Sequence, residues 1–242
     1  MSLKWKKIIY LIFPRFQTLE RFFHPSQNMF ADTFESEKCY HIFNHAVHGN
    51  LLFIQETNYH YFLQQLTKHT QFVCDLYAYC LMPNHFHLLA RIKNQEALIE
   101  YYHTRNQAKD PQYNPDNFDK TTFDTHKFVM QQFQNFCNGY AQAFNRFANR
   151  KGVLFMDNLK RKVVKNEVYF TKLIHYIHYN PVHHGFCKDL NSWRFTSYHS
   201  FLDNRTTPLA REYVLKWFGS PQEYSRFHQS KPDSRLTNLM EL

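Results

Sequence analysis

Glycine is scarce, with five in 242 residues, so turns in this chain must be made largely by Asn, Asp and Pro. Cysteine is also sparse. The five, at positions 39, 74, 80, 137 and 187, are odd in number, scattered, and contain no C-x-x-C. That excludes a disulfide framework and a zinc knuckle, and reads as reduced intracellular thiols. Long apolar runs are missing as well, and nothing approaches the roughly 20 residues a membrane span needs. The run Ile8 to Phe13 is shorter than a secretory h-region, and Pro14-Arg15 follows it without a small-residue cleavage site. A cytoplasmic protein is expected. Acidic residues are outnumbered, 20 against 29 basic, for a net charge of +9 before any of the 16 histidines charges. Such a balance favours a polyanionic partner, nucleic acid before a membrane surface. What is abundant argues for a folded chain: 43% hydrophobic and 18% aromatic residues exclude disorder and supply one good core with additions at its ends.

The stretch that carries chemistry is Leu81-Met82-Pro83-Asn84-His85-Phe86-His87-Leu88-Leu89. In an extended strand side chains alternate, so His85 and His87 share one face and Phe86 takes the other. One face can then hold a metal ion or grip a phosphate while the opposite face packs into a core. Pro83 suits a strand start, where its missing N–H costs little. Phe72 to Leu81 is of strand type and His85 to Ile92 follows, which predicts an antiparallel hairpin with the histidines at the start of its second arm. Upstream, residues 39–54 read as a strand, a Gly-Asn turn and a second extended piece. His41, His45 and His48 make a poor metal set there and are expected at scattered surface positions, or as nucleic-acid contacts.

Helices follow from period and caps. Thr57 or Asn58 can cap a helix to about Lys68, and residues 95–103 form another. Residues 104–124 carry turn formers without apolar periodicity and read as an exposed insertion or mobile loop. From Thr125 to Asn149 an apolar residue recurs every three or four positions, giving one long helix stopped by Gly152. Asn166 caps the next helix, and Pro181 should end it at or just before Asn180. On that helix Lys172, Tyr176 and Asn180 stand at four-residue intervals and share a face, taken as turned away from the Leu173/Ile174/Ile177 stripe. His175, His178, His183 and His184 are rival ligands. The basic residues Arg146, Arg150 and Lys151, with the cluster Lys160, Arg161 and Lys162, suit a phosphate backbone.

These pieces fall in one order: the His-Phe-His strand, the helix ending Phe144-Asn145-Arg146, Gly152-Val-Leu-Phe155, Tyr176-Ile-His-Tyr-Asn-Pro-Val-His-His-Gly-Phe186, and Trp193 followed by Ser197-Tyr198. The ordered set resembles the single-tyrosine HUH transposases, in particular the REP-associated tyrosine transposases, over roughly residues 38–203. The resemblance implies an α+β fold, a ferredoxin-like or RRM-like antiparallel sheet with helices on one face. Residues 1–37 would then be an N-terminal appendage, and 204–242 a helical C-terminal extension with a poorly ordered tail. It implies that His85 and His87 bind a divalent metal ion, Mg²⁺ or Mn²⁺, that Asn180 completes the metal shell, and that Tyr176 is the nucleophile, with Lys172 as support. The implied substrate is single-stranded or hairpin DNA, cut and rejoined through a 5′-phosphotyrosine by a monomer or homodimer. Two departures, the insertion at 104–124 and His45 where an arginine is common, bear on DNA preference rather than on chemistry.

Overall fold

The hairpin around the two histidines is the centre of the fold. The computed structural model describes residues 31–47, 49–156, 158–203 and 205–232. Strands β2 (Cys74–Met82) and β3 (His85–Ile92) pair antiparallel from Cys74↔Ile92 to Met82↔His85, so Pro83 and Asn84 alone make the turn. The turn is held from below: Leu52 and Phe53 donate their N–H groups to the Pro83 carbonyl at 2.7 and 3.1 Å. β1 (Cys39–His45) pairs antiparallel with β3, and β4 (Lys160–Val163) with β1, giving the order β2-β3-β1-β4. The chain is α+β, with a four-stranded antiparallel sheet.

Alternation sorts each strand between two cores. Tyr40, Ile42, Phe86 and Leu88 enter one, beneath helices α1 (Glu56–Thr70) and α3 (Thr125–Phe147). Phe62 of α1 is its hub, with ring centroids 5.0 Å from Phe86, 4.8 Å from Phe136 and 5.0 Å from Tyr140. Each such pair adds about 0.5–1.5 kcal/mol beyond simple burial. Ala78, Cys80, Met82 and Leu89 point the other way, into a second core with α4 (Glu167–His183) and the C-terminal helices α5 (Arg211–Phe218) and α6 (Pro221–His228). The layering is therefore fuller than the one-sided arrangement expected: the helices before β4 lie on one face and those after it on the other.

Some boundaries differ from the sequence expectation for identifiable reasons. α1 starts at Glu56 with Gln55 as its cap, because the Asn58 side chain reaches back to accept from the Ile54 and Gln55 N–H groups at 3.0 and 3.1 Å. α2 (Gln95–Lys109) runs six residues past 103. Beyond it the insertion is exposed but not loose. Asn114 and Asp119 cap two 3-10 turns, Pro115–Asn117 and Lys120–Thr122, and Tyr102 packs 5.1 Å from Phe118 and 5.8 Å from Phe123. α3 ends at Phe147, and Asn149 takes the left-handed turn at φ 46°. α4 passes through Pro181 to His183, since a proline in the last turn forfeits little more than one hydrogen bond there.

Both outer strands are covered in part. Along β2, Leu81 N–H donates to the Phe195 carbonyl at 2.9 Å and Ser197 N–H to Tyr79 at 3.0 Å. Along β4, Asp32 N–H donates to Arg161 at 3.3 Å, and its carboxylate accepts from Val163 N–H at 2.7 Å. Residues 31–37 of the expected appendage thus belong to the sheet layer; residues 1–30, His48 and the tail 233–242 lie outside the described residues. All five cysteines are free, and among the described residues no helix is long and apolar enough to cross a membrane.

Candidate active site

The register of β1 on β3 decides what surrounds the histidine pair. His45 sits opposite His85, Phe43 opposite His87 and His41 opposite Leu89, so all five of these β1 and β3 residues other than Leu89 are rings on the face that meets α4. His41 and His45, expected at scattered surface positions, instead belong here. His41 is fully buried and its Nε2 lies 2.9 Å from Nδ1 of His87. The His45 and His85 rings stack at 4.6 Å.

α4 lies across this face in a definite direction. The Tyr176 ring is 6.0 Å from His87 and 6.3 Å from His41, while His184 is 5.1 Å from His85. Tyr176, Asn180 and His184 stand at four-residue intervals, so Asn180 falls between the two ends of that stripe. Tyr176 is 3% exposed and packs in the same core as Leu173, Ile174 and Ile177, which corrects the expectation that it faces away from them. The reason is that α4 is wedged between the sheet and the C-terminal helices, and so is buried nearly all round. Lys172 is half-buried one turn before Tyr176.

The donors left over suit a cation. His85 Nδ1 is 2.8 Å from Asn84 Oδ1, an acceptor, so Nδ1 carries the proton and Nε2 the lone pair. Burial, reinforced by the neighbouring imidazoles His45, His87 and His184, holds His85 well below its ordinary range; His87 is lowered in the same way, by burial first and then by His41, His45 and His184. Both rings are neutral at neutral pH. Asn180 donates its amide to the Tyr176 carbonyl at 2.8 Å, while its buried Oδ1 has no partner among the described residues. An orphaned buried oxygen is costly and calls for an explanation, and a cation supplies one. Among the described residues no three His, Cys, Asp or Glu side chains are placed to hold a metal ion together; the two imidazoles and the Asn180 amide oxygen are the donors a cation could use here.

No family model matches the chain, and no curated protein matches it in sequence. A solved structure, that of a REP-associated tyrosine transposase bound to a REP hairpin, does match in three dimensions. The TM-score is 0.51 at 13% identity, over 73% of this chain and 85% of that one. The two share a fold. The likeness to that transposase lies in the whole arrangement of sheet and helices on which the histidines and Tyr176 are placed.

Of the basic residues singled out, Lys160 and Lys162 lie on the site's side of β4, beside Phe43 and His41 in register, and Arg146 and Lys151 are exposed. Arg161 is corrected: it points to the opposite face, is 6% exposed, and donates to the carbonyls of Asp32, Leu159 and Ala31 at 2.6, 3.0 and 3.3 Å. It anchors residues 31–32 rather than meeting DNA. Arg150 is likewise occupied, donating to Asn145 Oδ1 at 2.6 Å and the Val153 carbonyl at 2.9 Å.

Behind α4 a second buried group ties this helix to the C-terminal extension. His178 Nε2 lies 2.7 Å from Ser197 Oγ, and its Nδ1 lies 3.0 Å from His228 Nε2. His175 and His178, weighed as rival ligands, are part of this packing. Burial lowers His228 to about 3 and His175 to about 4, and drives His178 well down. In the unfolded chain these rings titrate near 6.5, so below that pH the unfolded state binds more protons and stability rises with pH. Their contribution is complete above about pH 6.5 and is lost as pH falls toward 3–4, at up to about 1.4 kcal/mol per unit for each ring. The urea midpoint is expected to be clearly lower at pH 5 than at pH 7.5; equal midpoints would show that these rings do not stay neutral in the fold.

Proposed function

We propose that this chain is a metal-dependent single-strand DNA endonuclease and strand transferase of the HUH transposase type, in the REP-associated branch. The observation that carries the reading is the meeting, across one sheet–helix interface, of Tyr176 with His87 and of His184, one turn past Asn180, with His85. His85, His87 and Asn180 would hold a divalent cation, Mg²⁺ or Mn²⁺. Bound there, the cation supplies Lewis-acid polarisation of a non-bridging phosphate oxygen. Tyr176 Oη attacks phosphorus, its proton leaves, and the bond from phosphorus to the 3′-oxygen breaks, so the 3′-oxygen departs as a hydroxyl. The product is a 5′-phosphotyrosine that stores the phosphodiester for reversal by an incoming 3′-OH, which is why no nucleotide cofactor is called for. A tyrosine hydroxyl ordinarily titrates near 10; Lys172, one turn earlier on α4, would ease loss of its proton. Lys160 and Lys162 on the site's side, with Arg146 and Lys151, would follow the backbone of single-stranded or hairpin DNA.

The burial of Tyr176, 3% exposed, favours a second reading in which the scaffold binds DNA without cutting it. One experiment separates the two. A 3′-labelled single-stranded oligonucleotide is incubated with the protein and Mn²⁺ and run on a denaturing gel. A protein-linked band is the expected result; binding by gel shift with no such band would leave the non-catalytic reading.

A further inference from the structure

The histidine site uses one face of β1, and the opposite face carries a side chain that packing alone does not explain. Alternation sends Asn44, which stands opposite Phe86, to the side of the α1/α3 core. Its Oδ1 accepts from the His45 N–H at 2.8 Å, while its Nδ2 has no partner among the described residues, although Asn44 is only 2% exposed. A buried amide with an unused N–H₂ calls for an explanation. Asn44 faces an open groove of about 480 Å³ between α3 and residues 152–159, a volume within the range of small-molecule sites, about 300–1,000 Å³.

α3 supplies one wall of that groove. In 23 residues it holds seven side-chain amides and no acidic residue. Four of the amides are occupied within the fold. Gln131 donates to Asn135 at 3.0 Å, Gln132 accepts from Arg105 and donates to the Phe128 carbonyl, and Asn145 donates to the Gly152 carbonyl at 2.9 Å. The other three, Gln134, Asn138 and Gln142, stand at four-residue intervals, so they form one stripe along the groove, with no hydrogen-bond partner among the described residues. Arg146 continues the stripe by one turn and is exposed, as is Lys151. The facing wall includes Val153, Leu154 and Phe155, and Val153 is 70% exposed. That wall is held in place, because Arg150 donates to both Asn145 Oδ1 and the Val153 carbonyl, at 2.6 and 2.9 Å.

No charged side chain lines the groove among the described residues, so it is unsuited to burying a phosphate, a carboxylate or a cation. Neutral amides carry donors and an acceptor on one planar group; beside an apolar wall they match the edge and the face of a nucleobase. Asn and Gln suit adenine best, through its N6 and N7. Arg146 and Lys151 at the end of the stripe suit the phosphates that accompany a base. We propose that this groove takes an unpaired adenine of single-stranded DNA, read by the amides that line it. The groove and the histidine site then lie back to back at one end of β1, and choice of sequence is separated from cutting. This rests on the DNA-binding part of the reading above.

The test measures binding of the full chain, by fluorescence anisotropy, to three single strands of about 12 nucleotides, within the span of one single-strand site. One is of deoxyadenosine, one of purine deoxyriboside, which keeps the stacking ring and lacks the N6 amine, and one of thymidine. Wild type should prefer the adenine strand to its purine analogue on the order of ten-fold. Asn138→Leu combined with Gln142→Met, which keeps side-chain length and helix propensity, should lose that preference and bind the thymidine strand as wild type does. The ¹³C-methyl signal of Met130, which also lines the groove, should move with the adenine strand. Equal wild-type affinity for the adenine strand and its analogue overturns the inference and leaves the DNA-binding reading intact. So does a preference that persists in the folded double variant, or a Met130 signal that the adenine strand leaves unmoved. Wild-type protein that binds none of the three strands removes the DNA-binding reading itself, and the inference with it.

Discussion

Tyr176→Phe is expected to retain binding to single-stranded DNA and to form no covalent adduct. The substitution removes one oxygen and keeps the ring, so the edge-on contacts with His41 and His87 and the packing beside Leu173 and Ile177 survive. Only the attacking atom is lost, and removing a nucleophile can cost on the order of 10⁶ in rate. The adduct carries the DNA 3′ of the cut, so a 3′-labelled oligonucleotide reports it directly as a band of protein mobility. An adduct of wild-type intensity in the variant would move the nucleophile elsewhere. Tyr179, half-buried on the same helix, would be the next residue to examine.

The second large effect belongs to the histidine pair. Replacing His85 and His87 together by Ala should reduce cleavage to the level seen with a chelator, while DNA binding persists. Stabilisation of developing charge by a bound cation amounts to several kcal/mol, so the loss should be on the order of 10³-fold. Because both side chains face α4 and Phe86 between them carries the α1/α3 core, the sheet should stay formed, and far-UV circular dichroism checks this. Cation-dependent cleavage that survives in the double variant would sink the ligand assignment.

How much of this was readable in advance depended on whether the information was local. β3 was read to its ends, because Pro83 marks its start and strict alternation through His85-Phe86-His87 fixes its faces. The Asn166 cap of α4 was legible for the same reason, its side chain accepting from Tyr169 N–H at 2.8 Å. His41 and His45 were misplaced because their meaning is non-local. They are four apart and thus on one strand face, a signal that was present, but only the pairing of β1 with β3 turns that face toward His85 and His87. Arg161 failed differently: a run of three basic residues looks uniform in sequence, whereas the strand sends its middle member to the opposite side and into a cage of carbonyls. The two 3-10 turns of the exposed insertion were not legible because they rest on aromatic rings at irregular intervals and on Asx caps, which no helical or strand period reveals.

The covering of β2 by residues 195–197 and of β4 by residues 31–32 bears on how copies of this chain can meet. A bare outer strand is a template on which another chain can add by main-chain pairing, the route to strand exchange and to fibrous aggregates. Here the rows of N–H and C=O groups that would recruit a neighbour are in part already occupied by the chain itself. Strand addition by another copy is therefore disfavoured at those positions of either edge. An assembly that left these pairings in place would keep the central sheet of each copy at four strands.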